Sequence, residues 1–361
     1  MPARAATSEL QIIAERLTSQ LLAGPPATSA EAVAERLLAI QGQDPRGARL
    51  AVRARSTGLS AADVDRALSE TRSLLITTLG RGTLHLVRVE DYRWLHALTT
   101  PPLLTGNARR LAQEGVSAAA AERGVEVIER SLGQEGPLTR VQLRERISAA
   151  GVRTEGQAIV HLLALASLRG LIVRGPMIAS EHAFVLVRDW FGELPTMPRD
   201  RALAELARRY LIGHGPAEDR DLAKWAGLPL RDARAGLAAI APELVERSDG
   251  LIEHRTRSPA AELPPPRLLG AFDPVLLGWR SRDAIVQKHK VVLTVNGLFR
   301  PFALVRGRAV AIWSMRGGTV AIAPFGRLAP VDAAALEADA REVERFLGRS
   351  ERARETEFGG R

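Results

Sequence analysis

The 361-residue chain contains no cysteine, and this absence excludes several kinds of site at once. Without cysteine there are no disulfides, thiolate nucleophiles, zinc fingers or iron–sulfur clusters. The seven histidines are scattered and form neither an HExxH motif nor a His-x-His pair. The sequence therefore predicts that the protein has no metal site.

Long apolar runs are missing as well. No stretch of about 18 consecutive apolar residues occurs, and the N-terminus has no apolar segment typical of a signal peptide. These two absences predict a soluble, cytoplasmic protein without a membrane partner; association with the nucleoid is expected only if the protein binds DNA.

Lysine is rare, since only Lys224, Lys288 and Lys290 occur, and arginine carries nearly all of the positive charge. The formal net charge of +9 and the pI near 10.9 favour an anionic partner such as nucleic acid. A GC-rich genome produces the same arginine-rich composition in proteins of any function. Charge alone therefore supports DNA binding only weakly.

Aromatic residues make up only 4% of the chain, so the core must rest on leucine, alanine, valine and isoleucine. The apolar fraction of 46% and the charged fraction of 25% are ordinary for a globular protein. A chain of this length is longer than one hydrophobic core usually organises, so we predict two to four packed units.

The first predicted segment covers residues 1–115. Leu10, Ile13 and Leu17 recur at helical spacing, and the run Gln41–Pro45 interrupts a later helix at its C-terminal end. Apolar runs at 74–79 and 83–87, on either side of Gly80-Arg81-Gly82, predict a hairpin or wing.

A weak internal repeat follows. Gly136-Pro137 and Gly215-Pro216 lie 79 residues apart in equivalent places, each within a series of predicted helices that ends in two short strands. Three helices followed by a two-stranded wing are typical of a winged helix, which is a variant of the helix-turn-helix. We therefore predict a second winged-helix unit over 116–195 and a third over 196–262.

The period of the apolar residues changes to two after the proline-rich boundary at 262–266. Short turns, among them Asn296-Gly297, separate four predicted strands, at 291–295, 299–305, 308–313 and 319–323. Residues 263–330 are expected to form a small β-barrel or a curled antiparallel sheet. Residues 331–361 are expected to form a final helix and, after Gly348, a charged disordered tail. The predicted fold class is α+β, with three tandem winged-helix units followed by a small C-terminal antiparallel β-barrel.

Several segments together resemble one family along nearly the whole chain. They are Leu38-Ala39-Ile40-Gln41-Gly42-Gln43-Asp44-Pro45, Arg53-Ala54-Arg55, the run from Thr78 to Val87 with Arg-Gly-Thr-Leu-His at 81–85, the run from Leu269 to Trp279 with Phe272-Asp273-Pro274, and Gly297 to Trp313. On these segments the chain resembles the AlkZ/YcaQ-like DNA glycosylase family, whose members are often described only as winged-helix DNA-binding proteins.

The resemblance implies a concave DNA-binding cleft and hydrolysis of the N-glycosidic bond of alkylated purines in duplex DNA. The implied substrates carry N7 or N3 adducts, chiefly cationic N7-alkylguanines, and in some members interstrand crosslinks. No metal or organic cofactor is implied. The family's catalytic element is two polar residues that flank one residue, and Gln41 and Gln43 occupy those positions here. Gly42 stands where the family usually has an aliphatic or small residue.

Glutamine suits the chemistry that the resemblance implies. An N7-alkylguanine is already a cation, so the departing base needs no protonation. The enzyme must hold a water behind the anomeric carbon and stabilise an oxocarbenium-like transition state. Each glutamine offers a carbonyl acceptor and an amide donor pair, so Gln41 and Gln43 can orient a water without being strong bases. Asp44 is a further candidate, as an electrostatic or backbone-bonding partner.

Candidate DNA contacts are basic residues near these motifs, with Arg81 on a glycine-rich turn where its guanidinium can approach a phosphate. They are Arg46, Arg81, Arg169, Arg174, Lys288 and Lys290. Four of them could equally be ordinary solvated surface residues, namely Arg169, Arg174, Lys288 and Lys290. His85 lies between Leu84 and Leu86, and a structural role is favoured over a supporting role in the site.

Ordinary structural roles are the competing interpretation for several of the conspicuous residues. Asp273 is expected to cap a turn, while Trp279 and Trp313 are expected to be core residues. Polar residues before Asp-Pro at a helix end are usually solvated caps, which is the competing interpretation of Gln41 and Gln43.

The leading functional prediction is a monofunctional DNA glycosylase that acts as a monomer on duplex DNA containing alkylated purines. The alternatives are a non-enzymatic winged-helix DNA-binding protein or transcription regulator, and a scaffold whose winged helices bind protein.

Overall fold

The computed structural model describes residues 8–178, 181–256, 262–294 and 297–348. The helices are, in chain order, α1 (Glu9–Ser19), α2 (Ala30–Leu37), α3 (Pro45–Arg53), α4 (Ala61–Ser69), α5 (Val89–Thr99), α6 (Pro101–Gln113), α7 (Ala118–Glu135), α8 (Arg140–Ala149), α9 (Ala158–Leu168), α10 (Val187–Phe191), α11 (Arg199–His214), α12 (Asp219–Ala226), α13 (Leu230–Ala239), α14 (Asp283–Val286) and α15 (Pro330–Phe346). The strands are β1 (Ile40–Gln41), β2 (Leu74–Leu79), β3 (Thr83–Arg88), β4 (Ile172–Ile178), β5 (Glu181–Leu186), β6 (Leu244–Glu246), β7 (Ile252–His254), β8 (Arg267–Leu269), β9 (Phe302–Val305), β10 (Arg308–Arg316) and β11 (Thr319–Pro324). The mixed α and β class is thereby confirmed.

The chain divides into two compact units. Unit 1 combines Met1–Val64 with Leu203–Arg361, and unit 2 is Asp65–Ala202. The borders fall inside the first and third predicted segments, at α4 and α11. The finer division into five segments stays a prediction.

Unit 2 is built on an antiparallel sheet in the order β3-β2-β4-β5. The predicted hairpin is confirmed, because Leu79 pairs with Thr83 across a turn in which Gly80 and Gly82 both have positive φ. Helices α7, α8 and α9 bury their apolar residues with strands β4 and β5 in one continuous core.

The two Gly-Pro pairs precede matching helix starts. After Gly136-Pro137, the Thr139 side chain accepts a hydrogen bond from the Gln142 backbone, and the Gln142 side chain accepts one from the Thr139 backbone. After Gly215-Pro216, Glu218 and Asp221 form the same reciprocal capping box at α12. This pairing satisfies N–H groups that the first turn of a helix leaves without partners. In both copies three helices precede two antiparallel strands, as predicted, and the winged-helix assignment stays a prediction.

The C-terminal sheet has the order β8-β9-β10-β11, with every neighbouring pair antiparallel. Among the described residues β8 and β11 are its two edges and do not pair with each other. The predicted barrel is therefore not confirmed, whereas the antiparallel sheet is present.

One predicted strand of this region is wrong. Lys290–Val292 form a single 3₁₀ turn, and only an isolated bridge between Leu293 and Phe299 follows it. Strand propensity reflects packing against neighbouring strands, and none of the strands in the described ranges forms a ladder with this segment. Val295, Asn296 and the predicted charged tail after Gly348 lie outside the described residues.

The core of unit 1 contains a fully buried histidine, His214, at the end of α11. Its ring stacks on Tyr210 at 5.0 Å between centroids and contacts the rings of Trp225 and Trp279. Burial disfavours the charged imidazolium and lowers the pKa of His214 to about 3.

This burial predicts a loss of stability in acid. Because an unfolded histidine has a pKa near ~6.5, the folded state binds fewer protons below that pH. The contribution of His214 is fully present above about pH 6.5 and is lost progressively as the pH falls toward 3, at a cost of about 2 kcal/mol by pH 5. We expect His214→Phe to reduce the fall in Tm between pH 7.5 and 5. A His161→Phe control should show the same fall in Tm as the wild type. An unchanged pH dependence of Tm in His214→Phe would contradict the role of His214 in acid sensitivity.

None of the helices in the described ranges is both long and apolar enough to cross a membrane.

Candidate active site

The Gln41-Gly42-Gln43 segment lies between two helices of unit 1. Helix α2 ends at Leu37, and Leu38 then adopts a φ of 63°, which is uncommon for a side chain of this size. Leu38 is nevertheless fully buried, so packing holds it in this conformation. The chain reverses there and continues as the two-residue strand β1, which ends at Gln41.

Gln41 and Gln43 are directly hydrogen bonded. The Gln41 Nε2 amide donates to Gln43 Oε1 at 2.6 Å. Gln41 is buried, with 6% of its surface exposed, whereas Gln43 is exposed. The buried amide therefore orients the exposed one, and the Gln43 amide donors stay available because its carbonyl oxygen accepts this hydrogen bond.

Asp44 caps the next helix. Its Oδ1 accepts a hydrogen bond from the Arg46 backbone N–H at 3.0 Å, and Pro45 fills the first position of α3. Both features are favourable at a helix start. Of the two roles predicted for Asp44, the structure contains the backbone hydrogen bond. The carboxylate is thereby held beside Gln43.

Buried arginines anchor α3 to the C-terminal half of unit 1. The Arg53 guanidinium donates to the Leu268 carbonyl at 3.1 Å and forms an ion pair with the Asp339 carboxylate. Asp339 also accepts from the Leu268 backbone N–H at 2.7 Å and from Arg267 at 3.0 Å. Arg53 thus connects α3 to both β8 and α15.

Arg55 and Asp273 form an ion pair in which both side chains are completely buried. The two Nη atoms of Arg55 donate to the two carboxylate oxygens at 2.9 and 2.7 Å. Arg55 also donates to the Ala51 carbonyl and to Gln20 Oε1, and Asp273 accepts from the Val275 backbone N–H. The predicted capping role of Asp273 is confirmed, while its pairing with Arg55 was not predicted.

Helix α3 and the segment around Asp273 approach so closely that only glycine fits between them. A Cβ at Gly47 would lie 2.4 Å from the Ala271 carbonyl oxygen, well inside van der Waals contact. The same Cβ would be 3.4 Å from Asp44 Cβ. The first turn of α3 is therefore packed directly against Gly270 and Ala271.

The predicted DNA contacts differ in exposure. Arg46, Arg81, Arg169, Lys288 and Lys290 are exposed, whereas Arg174 is only partly exposed. No ion pair of Arg46 is present among the described residues.

Two other predicted contacts are engaged within unit 2. Arg169 is paired with Glu122 through hydrogen bonds of 2.7 and 2.5 Å. The Arg174 guanidinium lies over the Phe184 ring, 4.5 Å from its centroid, and burial lowers its pKa. Arg169 nevertheless keeps 34% of its side-chain surface exposed, whereas Arg174 is only partly exposed.

His85 is held by its own strand. Its Nδ1 lies 2.9 Å from the Thr83 carbonyl. Desolvation by the surrounding protein lowers the pKa of His85 to about 4, and the positive charge of Arg81 adds to this effect. The imidazole is therefore neutral near pH 7, which favours the structural interpretation.

Both tryptophans predicted to lie in the core do so. Trp279 donates to the His214 carbonyl and Trp313 to the Leu269 carbonyl, each at 2.9 Å. Among the described residues, no group of three or more histidine, aspartate and glutamate side chains is arranged to hold a metal ion.

Sequence reasoning did not foresee how the motifs connect. Arg53-Ala54-Arg55 and Phe272-Asp273-Pro274 were both recognised as family-like segments, but not as partners. The only signal was a pair of opposite charges in the two segments, and sequence spacing does not show that they meet.

Comparison with known proteins supports the assignment to one family. A protein from Streptomyces sahachiroi described as an interstrand DNA cross-link repair glycosylase is 27% identical over 363 positions, covering 94% of this chain and 96% of that protein. The structure of the Streptomyces sahachiroi DNA glycosylase AlkZ resembles this fold with a TM-score of 0.76 and 24% identity, covering 94% of this chain and 97% of that one. At that identity the structural likeness concerns the fold alone.

The family model for AlkZ-like DNA glycosylases matches residues 34–346. This range includes the Gln41–Gln43 pair, the buried Arg55–Asp273 pair and the C-terminal sheet. Since the match spans most of the chain, the protein belongs to the AlkZ-like family of DNA glycosylases.

Proposed function

We propose that the protein is a monofunctional glycosylase that hydrolyses the N-glycosidic bond of N7- or N3-alkylated purines in duplex DNA. The observation that carries this proposal is the 2.6 Å hydrogen bond between the Gln41 and Gln43 amides. It fixes one exposed amide beside one buried amide, in a family of DNA glycosylases. We further propose that the protein acts as a monomer on nucleoid DNA, without a cofactor.

In the proposed mechanism the glutamines hold the attacking water. Gln41 retains its carbonyl oxygen as an acceptor after donating to Gln43, and Gln43 retains its amide donors. A water held between such groups is oriented toward the anomeric carbon without being strongly activated. Asp44, held at the start of α3, supplies a negative charge that stabilises the oxocarbenium-like transition state.

A weakly basic site matches a substrate that is already activated. A purine alkylated at N7 or N3 leaves as a neutral base from a cationic nucleotide, so no acid is needed. The relative from Streptomyces sahachiroi is described as a cross-link repair glycosylase. We therefore include bulky and crosslinked adducts in the proposed substrate class.

For DNA binding we propose winged-helix units at α7 to β5 and at α11 to β7, besides one near the N-terminus, and a barrel-like C-terminal sheet. Exposed Arg46, Arg81, Lys288 and Lys290 are proposed phosphate contacts, since phosphates are bound by accessible cations. Arg169 becomes a phosphate contact only if it leaves Glu122, and Arg174 only if it leaves the Phe184 ring.

A base-release assay tests the proposal. Purified protein is incubated with duplexes carrying N7-methylguanine, a bulky N7 adduct or an N3 adduct, and released bases are measured by mass spectrometry. We expect release from at least the N7 substrates.

Duplex affinity is measured in parallel at several salt concentrations. Salt-dependent binding without release from any adduct would favour the non-enzymatic DNA-binding alternative. Absence of duplex binding even at low salt would favour a protein-binding scaffold.

A further inference from the structure

The segment Leu269–Trp279 contains one side chain that neither the core nor the proposed water site uses. Phe272 is only half buried, although both of its neighbours, Ala271 and Asp273, are buried. We propose that Phe272 is the residue that stacks on the orphaned partner base when the damaged nucleotide leaves the duplex. This inference rests on the proposed function, since it describes how the same site engages DNA.

Phe272 belongs to a small aromatic and cationic surface. Its ring lies 5.4 Å from that of Phe299 with the planes tilted by 46°, and the Arg282 guanidinium lies over Phe299 at 5.2 Å from the centroid. A purine or pyrimidine presents a π face of the same kind, so an aromatic side chain stacks on any base. Adjacent aromatic and guanidinium groups are typical of surfaces that bind unpaired nucleotides.

The surroundings of this surface are basic. A cavity of about 520 Å³ adjoins it through Arg282 and is also lined by Arg280 and Lys290. Burial lowers the pKa of Arg282, yet its guanidinium stays charged near neutral pH. Stacking of a base on Phe272 would therefore be accompanied by attraction of the flanking phosphates.

Phe272 is joined through its chain neighbours to the helix that follows the glutamine pair. The Ala271 carbonyl lies against Gly47 in the first turn of α3, and Gln43 immediately precedes Asp44, the residue that caps this helix. On its other side Asp273 is held by the buried Arg55. A base on Phe272 would thus be positioned relative to Gln41 and Gln43 by the protein interior.

The backbone at Phe272 supports a role for the ring itself. Its φ of 58° lies in the left-handed region, which glycine adopts freely and phenylalanine adopts with strain. The chain keeps a large aromatic side chain at a strained and partly exposed position. Stacking on DNA explains why the ring is retained there.

Binding to DNA with a stable abasic site tests the inference without requiring hydrolysis. The probe is a duplex with a tetrahydrofuran site opposite 2-aminopurine, compared with the intact duplex, and Kd and 2-aminopurine fluorescence are measured. We expect the wild type to prefer the abasic duplex and to change its fluorescence. Phe272→Ala should reduce that preference about 10-fold, and Phe272→Tyr should preserve it.

Two further variants control for folding. Phe325→Ala removes another half-buried phenyl ring of unit 1, which stacks on His289, and should leave the preference unchanged. Phe272→Gly removes the ring and also relieves the positive φ, so it should retain or raise Tm while it loses the preference.

Full preference in Phe272→Ala or in Phe272→Gly would overturn the inference, and so would a wild type that releases bases but shows no preference. Conversely, a ring-dependent preference in a protein that releases no base would support this inference and contradict only the proposed function.

Discussion

Replacement of Gln41 and Gln43 together by alanine is expected to lower base release from N7-alkylguanine duplexes by about 100-fold or more. Two amides that orient the attacking water would be lost, and misplacement of a reacting group by ~1 Å already costs about 100-fold in rate. The effect should fall on kcat, because neither glutamine carries the positive charge that dominates DNA affinity. Single-turnover release and duplex Kd, measured on the same preparations, separate the two quantities.

The matched control is Gln11→Ala, since Gln11 is an exposed glutamine of unit 1 on α1. It should leave release unchanged. Full activity in the double variant would remove both residues from the mechanism. Equal loss of affinity and rate would instead assign them to DNA binding.

Truncation of Asp273 to alanine is expected to destabilise the protein by about 3–5 kcal/mol, the largest effect on stability that we predict. Arg55 is completely buried and would keep its charge without its carboxylate partner. The free energy of unfolding in denaturant, together with Tm, measures the loss. The same change frees the segment that holds Phe272, so base release should fall as well.

The Arg345–Glu342 pair provides the contrast. Both side chains are about half exposed, so Glu342→Ala should change stability by less than about 1 kcal/mol. The double replacement Arg55→Met with Asp273→Leu should be less destabilising than Asp273→Ala alone, because it leaves no unpaired charge. A small effect of Asp273→Ala would show that water reaches Arg55.

Local features of the chain were predicted well. Spacing, caps and turn residues correctly indicated α1 and the β2–β3 hairpin around Arg81. They also indicated the three helices and two strands in each copy of the internal repeat. Hydrogen bonds at helix starts and hairpin turns join residues only a few positions apart, so the sequence alone contains both partners.

Predictions that depended on distant neighbours were less successful. The run from Val291 to Leu293 has strand-forming residues, yet most of it forms a 3₁₀ turn because none of the described strands forms a ladder with it. Arg53 and Arg55 were noted only as part of a family-like segment, whereas the structure buries both against carboxylates. Burial of charge depends on a partner that sequence spacing does not reveal.

For the candidate site, the sequence by itself determined the residue types. It contains two glutamines on either side of one glycine, an Asp-Pro helix start after them, and no thiol that would allow other chemistry. Only the tertiary structure decided that Gln41 is buried and donates to an exposed Gln43. It also decided that Arg55 pairs with a carboxylate 218 residues away, and that Ala271 packs against Gly47 of α3. Chemistry follows from the identity of each side chain, but orientation and burial follow from packing between segments that only the folded chain brings together.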